Sequence, residues 1–117
     1  MIQEPVSLPS VLTDPALRQN LKWEAFREGI EVSWVYRSQD PSGPATAFLR
    51  YAPGAYAPTH EHMGYEHILV LEGEQSDQNG TYKAGSLTVN PPGTQHMVTS
   101  KTGCVVLAIW QSPVRFL

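Results

Sequence analysis

Histidines are scarce in this chain, and three of the four lie in one short stretch. The sequence GAYAPTHEHMGYEHILVLEG contains His60, His62 and His67, with Glu66 directly before the last of them. Imidazoles and a carboxylate together can bind a divalent metal ion, because both groups offer lone pairs to a cation. The same residues can instead lie on a solvated loop, or a strand can bury one histidine beside a hydrogen-bond acceptor.

Strand alternation separates these candidates. Residues two apart on a strand leave the same face, so the ring nitrogens of His60 and His62 can converge on one point. Glu66 keeps the same even parity, whereas His67 follows it directly and is expected to point to the other side. The fourth histidine, His96, comes just after the rigid segment NPPGTQ. A hairpin between the two stretches can return it beside the others.

Short β-rich segments surround these residues. They read EVSWVYR, TAFLRY, HILVLEG, SLTVN, HMVTS and CVVLAIWQ, and clusters of Pro, Gly, Asn and Asp separate them, which is typical of strands joined by turns. Asn79 and Gly80 tolerate positive φ and predict a tight hairpin. The pattern predicts an all-β, antiparallel sandwich or barrel.

Residues 1–30 show a different pattern, with prolines and little periodicity. Only TDPALRQNL indicates a helix, in which Asp14 is the N-cap and Pro15 the first helical residue. A chain of 117 residues is the size of one ordinary domain. We expect residues 1–30 to form an arm that packs on a single barrel of residues 31–117.

The composition excludes two classes of partner. The net charge is −3, with eight Lys and Arg against eleven Asp and Glu, and the basic residues are scattered, so we expect no nucleic-acid partner. The longest apolar run, VVLAIW, is far shorter than the roughly 20 residues that cross a bilayer, so we expect no membrane partner. Charged residues make up only 16% of the chain, against about 25% in a typical domain. We therefore expect a homodimer, because burial of surface between two copies would account for the low charge.

Other conspicuous residues have structural interpretations. The single cysteine, Cys104, cannot form an intrachain disulfide and is expected to be an inert buried thiol. Together with a start, MIQEPVSLPS, that does not resemble a secretion signal, it indicates a reducing, cytoplasmic setting. Several aromatic side chains are expected in the core or in an interface. They are Trp34, Tyr36, Phe48, Tyr56 and Trp110.

Two spaced motifs contain the candidate ligands. The first has the form G-x5-H-x-H-x3-E-x6-G from Gly54, and the second the form G-x5-P-x-G-x2-H from Gly85. We expect the glycines in them to adopt positive φ in turns. Both motifs resemble those of the cupin superfamily, except that Ser100 stands where an asparagine is usual. The segments LRYAPGA, HEHMGYEHILVLEGE and NPPGTQH are similar to those of ChrR-like cupins.

This resemblance implies a cupin jelly-roll β-barrel that holds one divalent metal ion inside. The implied ligands are the residues that match the family's motifs, namely His60, His62, Glu66 and His96. Three imidazoles and a carboxylate suit Fe, Zn, Mn, Ni or Cu, and ligand type does not choose among them. Four protein ligands close a tetrahedral zinc site, whereas an octahedral arrangement leaves two positions for water, dioxygen or a substrate.

The resemblance is compatible with three functions. Cupin dioxygenases imply a metal-dependent oxygenase acting on a small enolisable or phenolic ketone, although the diketone-cleaving members use three histidines without a carboxylate such as Glu66. ChrR-like anti-sigma factors imply a non-catalytic metal-binding sensor or small-ligand binder. Those proteins carry a separate N-terminal zinc-binding domain, and no Cys or His precedes His60, so sigma-factor inhibition is not expected. In the third reading the metal ion only stabilises the barrel.

Overall fold

Ten strands and one short helix make up the computed structural model, which describes residues 4–117. The elements are β1 (Glu24–Arg27), β2 (Ile30–Arg37), β3 (Ala45–Tyr51), β4 (Tyr56–Glu61), β5 (Glu66–Asp77), β6 (Gly80–Lys83), β7 (Leu87–Asn90), β8 (Gln95–Thr99), β9 (Cys104–Trp110), β10 (Arg115–Phe116) and helix α1 (Pro15–Gln19). The predicted all-β class is confirmed, and each of the six predicted β-rich segments lies on a strand.

The strands pair into one curled antiparallel sheet, in the order β1-β2-β3-β9-β5-β8-β4-β10, with β6 and β7 also bonded to β5. Strand β5 joins the two halves of the sheet, because its first part pairs with β7 and β9 and its last part with β6 and β8. A register shift between Val70 and Glu72 interrupts its pairing with β9. Irregularities of this kind bend a strand, which lets β5 turn from one half to the other.

Apolar side chains from β2, β3 and β9 fill one side of the interior. We call this set the apolar wall, and it consists of Val32, Ala47, Leu49, Val106 and Ala108. Strand register places Ala47 beside Ala108 and Leu49 beside Val106, and all five are buried. Removing such surface from water contributes about 25 cal/mol per Å². This wall therefore stabilises the fold whether or not anything is bound inside.

The N-terminal segment is tied to the sheet by an ion pair. Helix α1 begins as predicted, with Pro15 first and the Asp14 side chain as N-cap. The buried guanidinium of Arg18 contacts the Glu72 carboxylate of β5 at 2.9 Å. Strand β1 follows within residues 1–30, where only helical turns were predicted. No helix in residues 4–117 is long and apolar enough to cross a membrane.

The predicted hairpin between β5 and β6 is present, but its loop lies one residue earlier in the chain. Asp77 pairs with Gly80, so Gln78 and Asn79 form the loop. Asn79 is not in the positive-φ region on which the prediction relied. Instead the Asp77 side chain accepts a hydrogen bond from the Asn79 amide at 2.8 Å. Such a bond from an Asp side chain to the backbone two residues on forms the turn without positive φ at Asn79, whereas Gly80 has a φ of 153°.

Two further structural expectations are met. The four motif glycines have φ between 70° and 95°, and they are Gly54, Gly73, Gly85 and Gly93. Gly73 also has no room for a side chain, since a Cβ there would overlap the carbonyl group of Gly103. Cys104 is a buried free thiol of the core, and its burial raises its pKa, as expected for an unreactive cysteine.

Candidate metal centre

Four side chains from separate parts of the chain meet inside the barrel. His60 lies on β4, Glu66 begins β5, His96 lies on β8, and His62 follows the end of β4. We call these four residues the His/Glu cluster. Their exposed fractions are 4, 1, 5 and 7% for His60, His62, Glu66 and His96. One donor atom of each residue lies within 4.8 Å of the donor atoms of the others.

Pairing between β4 and β8 brings the three rings together. His60 is directly opposite His96 in the register, and the backbone of His62 continues the pairing through hydrogen bonds with Gly93 and Thr94. The ring centroid of His96 lies 4.6 Å from that of His60 and 4.7 Å from that of His62. His96 returns beside His60 as predicted, but it does so through the pairing of the non-consecutive strands β4 and β8 and not through one hairpin.

The structure brings together the residues that the parity argument named, but part of the physical basis of that argument was wrong. His62 lies beyond the end of β4, and a bend at Met63 and Gly64 separates it from β5. Alternation does not carry across a bend, so the even number of Glu66 does not place it beside His60. Within β5 the argument holds. Glu66 is buried, and His67 is half-buried on the opposite face, away from the cluster as predicted.

A hydrogen bond at Nδ1 orients each histidine of the cluster. His60 Nδ1 lies 2.8 Å from the Pro58 carbonyl oxygen, and His62 Nδ1 lies 3.0 Å from the Thr94 carbonyl oxygen. Because a carbonyl oxygen only accepts hydrogen bonds, both Nδ1 atoms carry the proton and donate. In the neutral form of each ring the lone pair is then on Nε2. Burial lowers the pKa of His60, which favours this neutral, metal-binding form.

Hydrogen bonds also orient the carboxylate of Glu66. Its Oε2 accepts from the Trp110 indole at 2.6 Å, and its Oε1 accepts from the Asn90 amide at 3.1 Å. Burial by itself raises the pKa of Glu66, but its contacts with His62, Trp110 and His96 outweigh burial and lower the pKa overall. The cluster therefore contains one negative charge that is fixed in place.

The donor atoms of the cluster fit a cation at its centre. The lone pair on His62 Nε2 faces Glu66 Oε1 at 3.1 Å, and two such groups repel unless a proton or a metal ion lies between them. His96 Nε2 is buried without a hydrogen-bond partner in residues 4–117, which is costly for a polar atom. A divalent ion would satisfy both atoms, and the combination of imidazole and carboxylate suits such an ion.

A cavity of about 460 Å³ is lined by no residue of the cluster, but four aromatic rings contribute to its lining. They belong to Phe26, Trp34, Trp110 and Phe116. Trp110 is also the donor to Glu66, and the Phe116 ring is 5.4 Å from the His60 ring. Trp34 and Trp110 were expected in the core or in an interface. They pack against each other at 6.1 Å and also form this lining.

The sequence interpretation missed the residues that hold the ligand side chains. Asp77, which contacts His96 Nδ1 at 3.0 Å, stands in the hairpin and has the composition of an ordinary turn residue. Asn90 and Trp110 reach Glu66 from β7 and β9. Their separation from Glu66 along the chain has no characteristic period, so spacing alone carries no signal for them.

The sequence and the fold resemble known proteins. Anti-sigma-E factor ChrR from Cereibacter sphaeroides is 29% identical over 113 residues, a match that covers 92% of this chain and 51% of the relative. The chain thus spans about half the length of that curated relative. The structure of Rhodobacter sphaeroides SigE in complex with the anti-sigma ChrR matches with a TM-score of 0.71 at 21% identity, over 92% of this chain and 69% of that one.

Acetylacetone dioxygenase from Acinetobacter johnsonii has the same fold, with a TM-score of 0.77 at 18% identity over 100% of this chain and 79% of that one. This likeness confirms the predicted cupin architecture. The family model of the ChrR cupin-like domain matches residues 16–114, which include both motifs and the whole His/Glu cluster. The chain therefore belongs to the ChrR cupin-like domain family.

Proposed function

We propose that the protein binds one divalent metal ion per chain through His60, His62, Glu66 and His96. The observation that supports this proposal is the buried His96 Nε2, which has no partner in the described chain and faces the lone pairs of the other cluster residues. Fe, Zn, Mn and Ni all suit these ligands. Plasma emission analysis of untagged protein purified without chelator should find about one ion per chain. If the protein remains metal-free after incubation with each of these four metals, the proposal is wrong.

We further propose that the protein is a metal-dependent dioxygenase for a small enolisable or phenolic ketone. The cavity supports this proposal, because its volume of about 460 Å³ is in the range of small-molecule sites and its aromatic lining suits a flat, largely apolar ligand. Trp110 and Phe116 line the cavity and contact Glu66 and His60 of the His/Glu cluster. We propose that a ligand in the cavity approaches the metal site past these two side chains.

The residues around the cavity have distinct roles in this proposal. A bound metal ion would supply Lewis-acid polarisation of the ligand's oxygen atoms. The indole face of Trp110 would contact the ligand while its N–H keeps Glu66 in place at 2.6 Å. Phe116, held by the pairing of β10 with β4, would shield His60 from bulk water. A drier site strengthens the electrostatic interactions inside it.

An oxygen electrode tests the oxygenase proposal. Iron-loaded protein should consume dioxygen in the presence of at least one compound from a panel of β-diketones and hydroxyaryl ketones. Free iron at the same concentration is the control. If metal occupancy is complete and uptake across the panel does not exceed that control, the oxygenase proposal is wrong.

A non-catalytic sensor is the second candidate function. The 29% identity to anti-sigma-E factor ChrR favours it, since that relative is named for regulation. Metal binding with no oxygen uptake, combined with a ligand that perturbs the fluorescence of Trp34 and Trp110, would support the sensor. Turnover of any panel compound would exclude a purely sensory role.

We also propose that the protein is a homodimer. On the outer face of the sheet, Val89, His67 and Ile109 lie in one row across β7, β5 and β9, and Leu87 begins a second row. Leu87, Val89 and Ile109 are exposed. Neither row contains a charged residue, so two copies can meet there without like-charge repulsion.

Light scattering tests the dimer. The wild-type protein should have twice the chain mass of 13.0 kDa at micromolar concentration, and Leu87→Asp should be monomeric because it buries a charge in the contact. Lys83→Asp, on β6, is the matched control and should stay dimeric, because β6 pairs with the other end of β5. A wild-type mass near that of one chain would contradict the proposal.

A further inference from the structure

The carboxylate of Asp77 accepts three hydrogen bonds, which is more than the turn alone requires. Its Oδ2 accepts from His96 Nδ1 at 3.0 Å. Its Oδ1 accepts from the Asn79 amide at 2.8 Å and from the Tyr82 hydroxyl at 3.3 Å. The side chains of Asp77 and His96 are both buried, with exposed fractions of 8% and 6%. The carboxylate is therefore fixed against the ring of His96.

The bond to Asp77 distinguishes His96 from the other two histidines of the cluster. His60 and His62 donate their Nδ1–H to uncharged carbonyl oxygens, whereas His96 donates to a carboxylate. A charged acceptor forms the stronger hydrogen bond. It also raises the electron density on the opposite ring nitrogen, as carboxylates do for metal-bound histidines in general. In this chain that opposite nitrogen is the unpartnered Nε2.

We propose that Asp77 is a positioning residue that holds His96 in the tautomer protonated at Nδ1 and directs the Nε2 lone pair toward the centre of the His/Glu cluster. Asp77 thereby increases the metal affinity of the site without touching the ion. The inference about affinity depends on the proposed metal binding. The inference about the tautomer does not, because it concerns the ring and its neighbour in the metal-free protein.

The tautomer is measured by long-range ¹⁵N–¹H NMR of the histidine rings in the metal-free protein. Wild-type His96 should show a protonated Nδ1 and an unprotonated Nε2. In Asp77→Asn the amide group can donate to Nδ1, so a substantial fraction of His96 should shift to the Nε2–H form. Glu74→Gln removes the same charge from the same strand and should leave the His96 signals unchanged. An identical tautomer in wild type and Asp77→Asn would overturn the proposal.

Affinity is measured by competition with a chromophoric chelator. Asp77→Asn should bind metal about 10–100-fold more weakly than wild type, as is typical when the outer partner of a ligating histidine is lost. Asp77→Ser is the second variant, because its hydroxyl can still accept from the Asn79 amide and preserve the turn. Asp77→Ser should lose metal affinity to the same extent, so it can replace Asp77→Asn if that variant does not fold.

The two measurements separate the possible failures. If wild-type protein binds no metal but the tautomer shifts in Asp77→Asn, the metal proposal fails and the positioning role stands. If wild-type protein binds metal and both Asp77 variants retain its affinity and its tautomer, the positioning role is wrong and the metal proposal stands.

Discussion

The apolar wall and the His/Glu cluster face the same interior, and both are almost completely removed from solvent. Val106 and Ala108 are 0% exposed, and His62 is 1% exposed. Burial has opposite consequences for the two regions. Apolar side chains gain free energy when they leave water, whereas polar and charged groups lose free energy unless new partners replace the water.

The two regions also differ in how far the chain itself satisfies them. The apolar wall needs only the packing of β2, β3 and β9. In the cluster, the outer nitrogens of the rings and the Glu66 oxygens have partners, but the inward-facing Nε2 of His96 has none in residues 4–117. The apolar wall is therefore stable through its own packing, whereas the His/Glu cluster needs a cation to satisfy its buried polar atoms.

One substitution in each region should separate folding from metal binding. The loss of metal in His96→Ala is the largest effect that we expect. His96→Ala should reduce metal content from about one ion per chain to nearly none, because one ligand is removed and the carboxylate of Glu66 loses a neighbour. Val106→Ala should keep its metal and lose roughly 2 kcal/mol of unfolding free energy, since it leaves a cavity in the core. Plasma emission and urea unfolding measure the two quantities. Full metal content in His96→Ala would contradict the assignment of metal binding to the His/Glu cluster.

Metal removal should destabilise the protein through the cluster alone. At a free metal concentration of about 100 times Kd, binding contributes about 2.7 kcal/mol to the unfolding free energy. A chelator should therefore lower the melting temperature of wild type and of Val106→Ala by similar amounts. The melting temperature of His96→Ala should not respond to the chelator, and a response as large as that of wild type would place the metal elsewhere.

Glu66→Gln should have an intermediate effect on the cluster. Glutamine keeps an oxygen that can accept from Trp110, but it lacks the negative charge that offsets the charge of the ion. Metal binding should weaken without being abolished, and the order of preference among Fe, Zn, Mn and Ni should change. Competition titrations with each ion measure this order. Unchanged affinities for all four would show that Glu66 is not a ligand.

His67→Ala should have the smallest effect, although this histidine is a neighbour of Glu66 in the sequence. Its side chain lies on the outer face of β5, so metal occupancy should stay near one. Metal loss equal to that of His96→Ala would show that the face assigned to His67 is wrong.

Much of the fold could be predicted because its signals are local. The segments EVSWVYR, TAFLRY and CVVLAIWQ contain the β-branched and aromatic residues that favour strands, and the glycines mark positions that need positive φ. Strands β1 and β10 were not predicted, and β4 was assumed for His60 and His62 without a β-rich segment to mark it. β1 is exposed on all four residues, so no burial pattern marks it, and Pro58 interrupts β4 where its pairing with β8 is irregular.

The candidate ligands could be named in advance because their residue types and spacing match a motif. The sequence by itself therefore determined the fold class, the placement of His67 on the opposite face of its strand and the identity of the four cluster residues. Only the tertiary structure showed that Glu66 reaches the histidines from a second strand, and that Asp77, Asn90 and Trp110 hold the ligand side chains. The physical reason is that alternation along a strand is a property of neighbouring residues, whereas contacts across β4, β5, β8 and β9 depend on how distant strands pair.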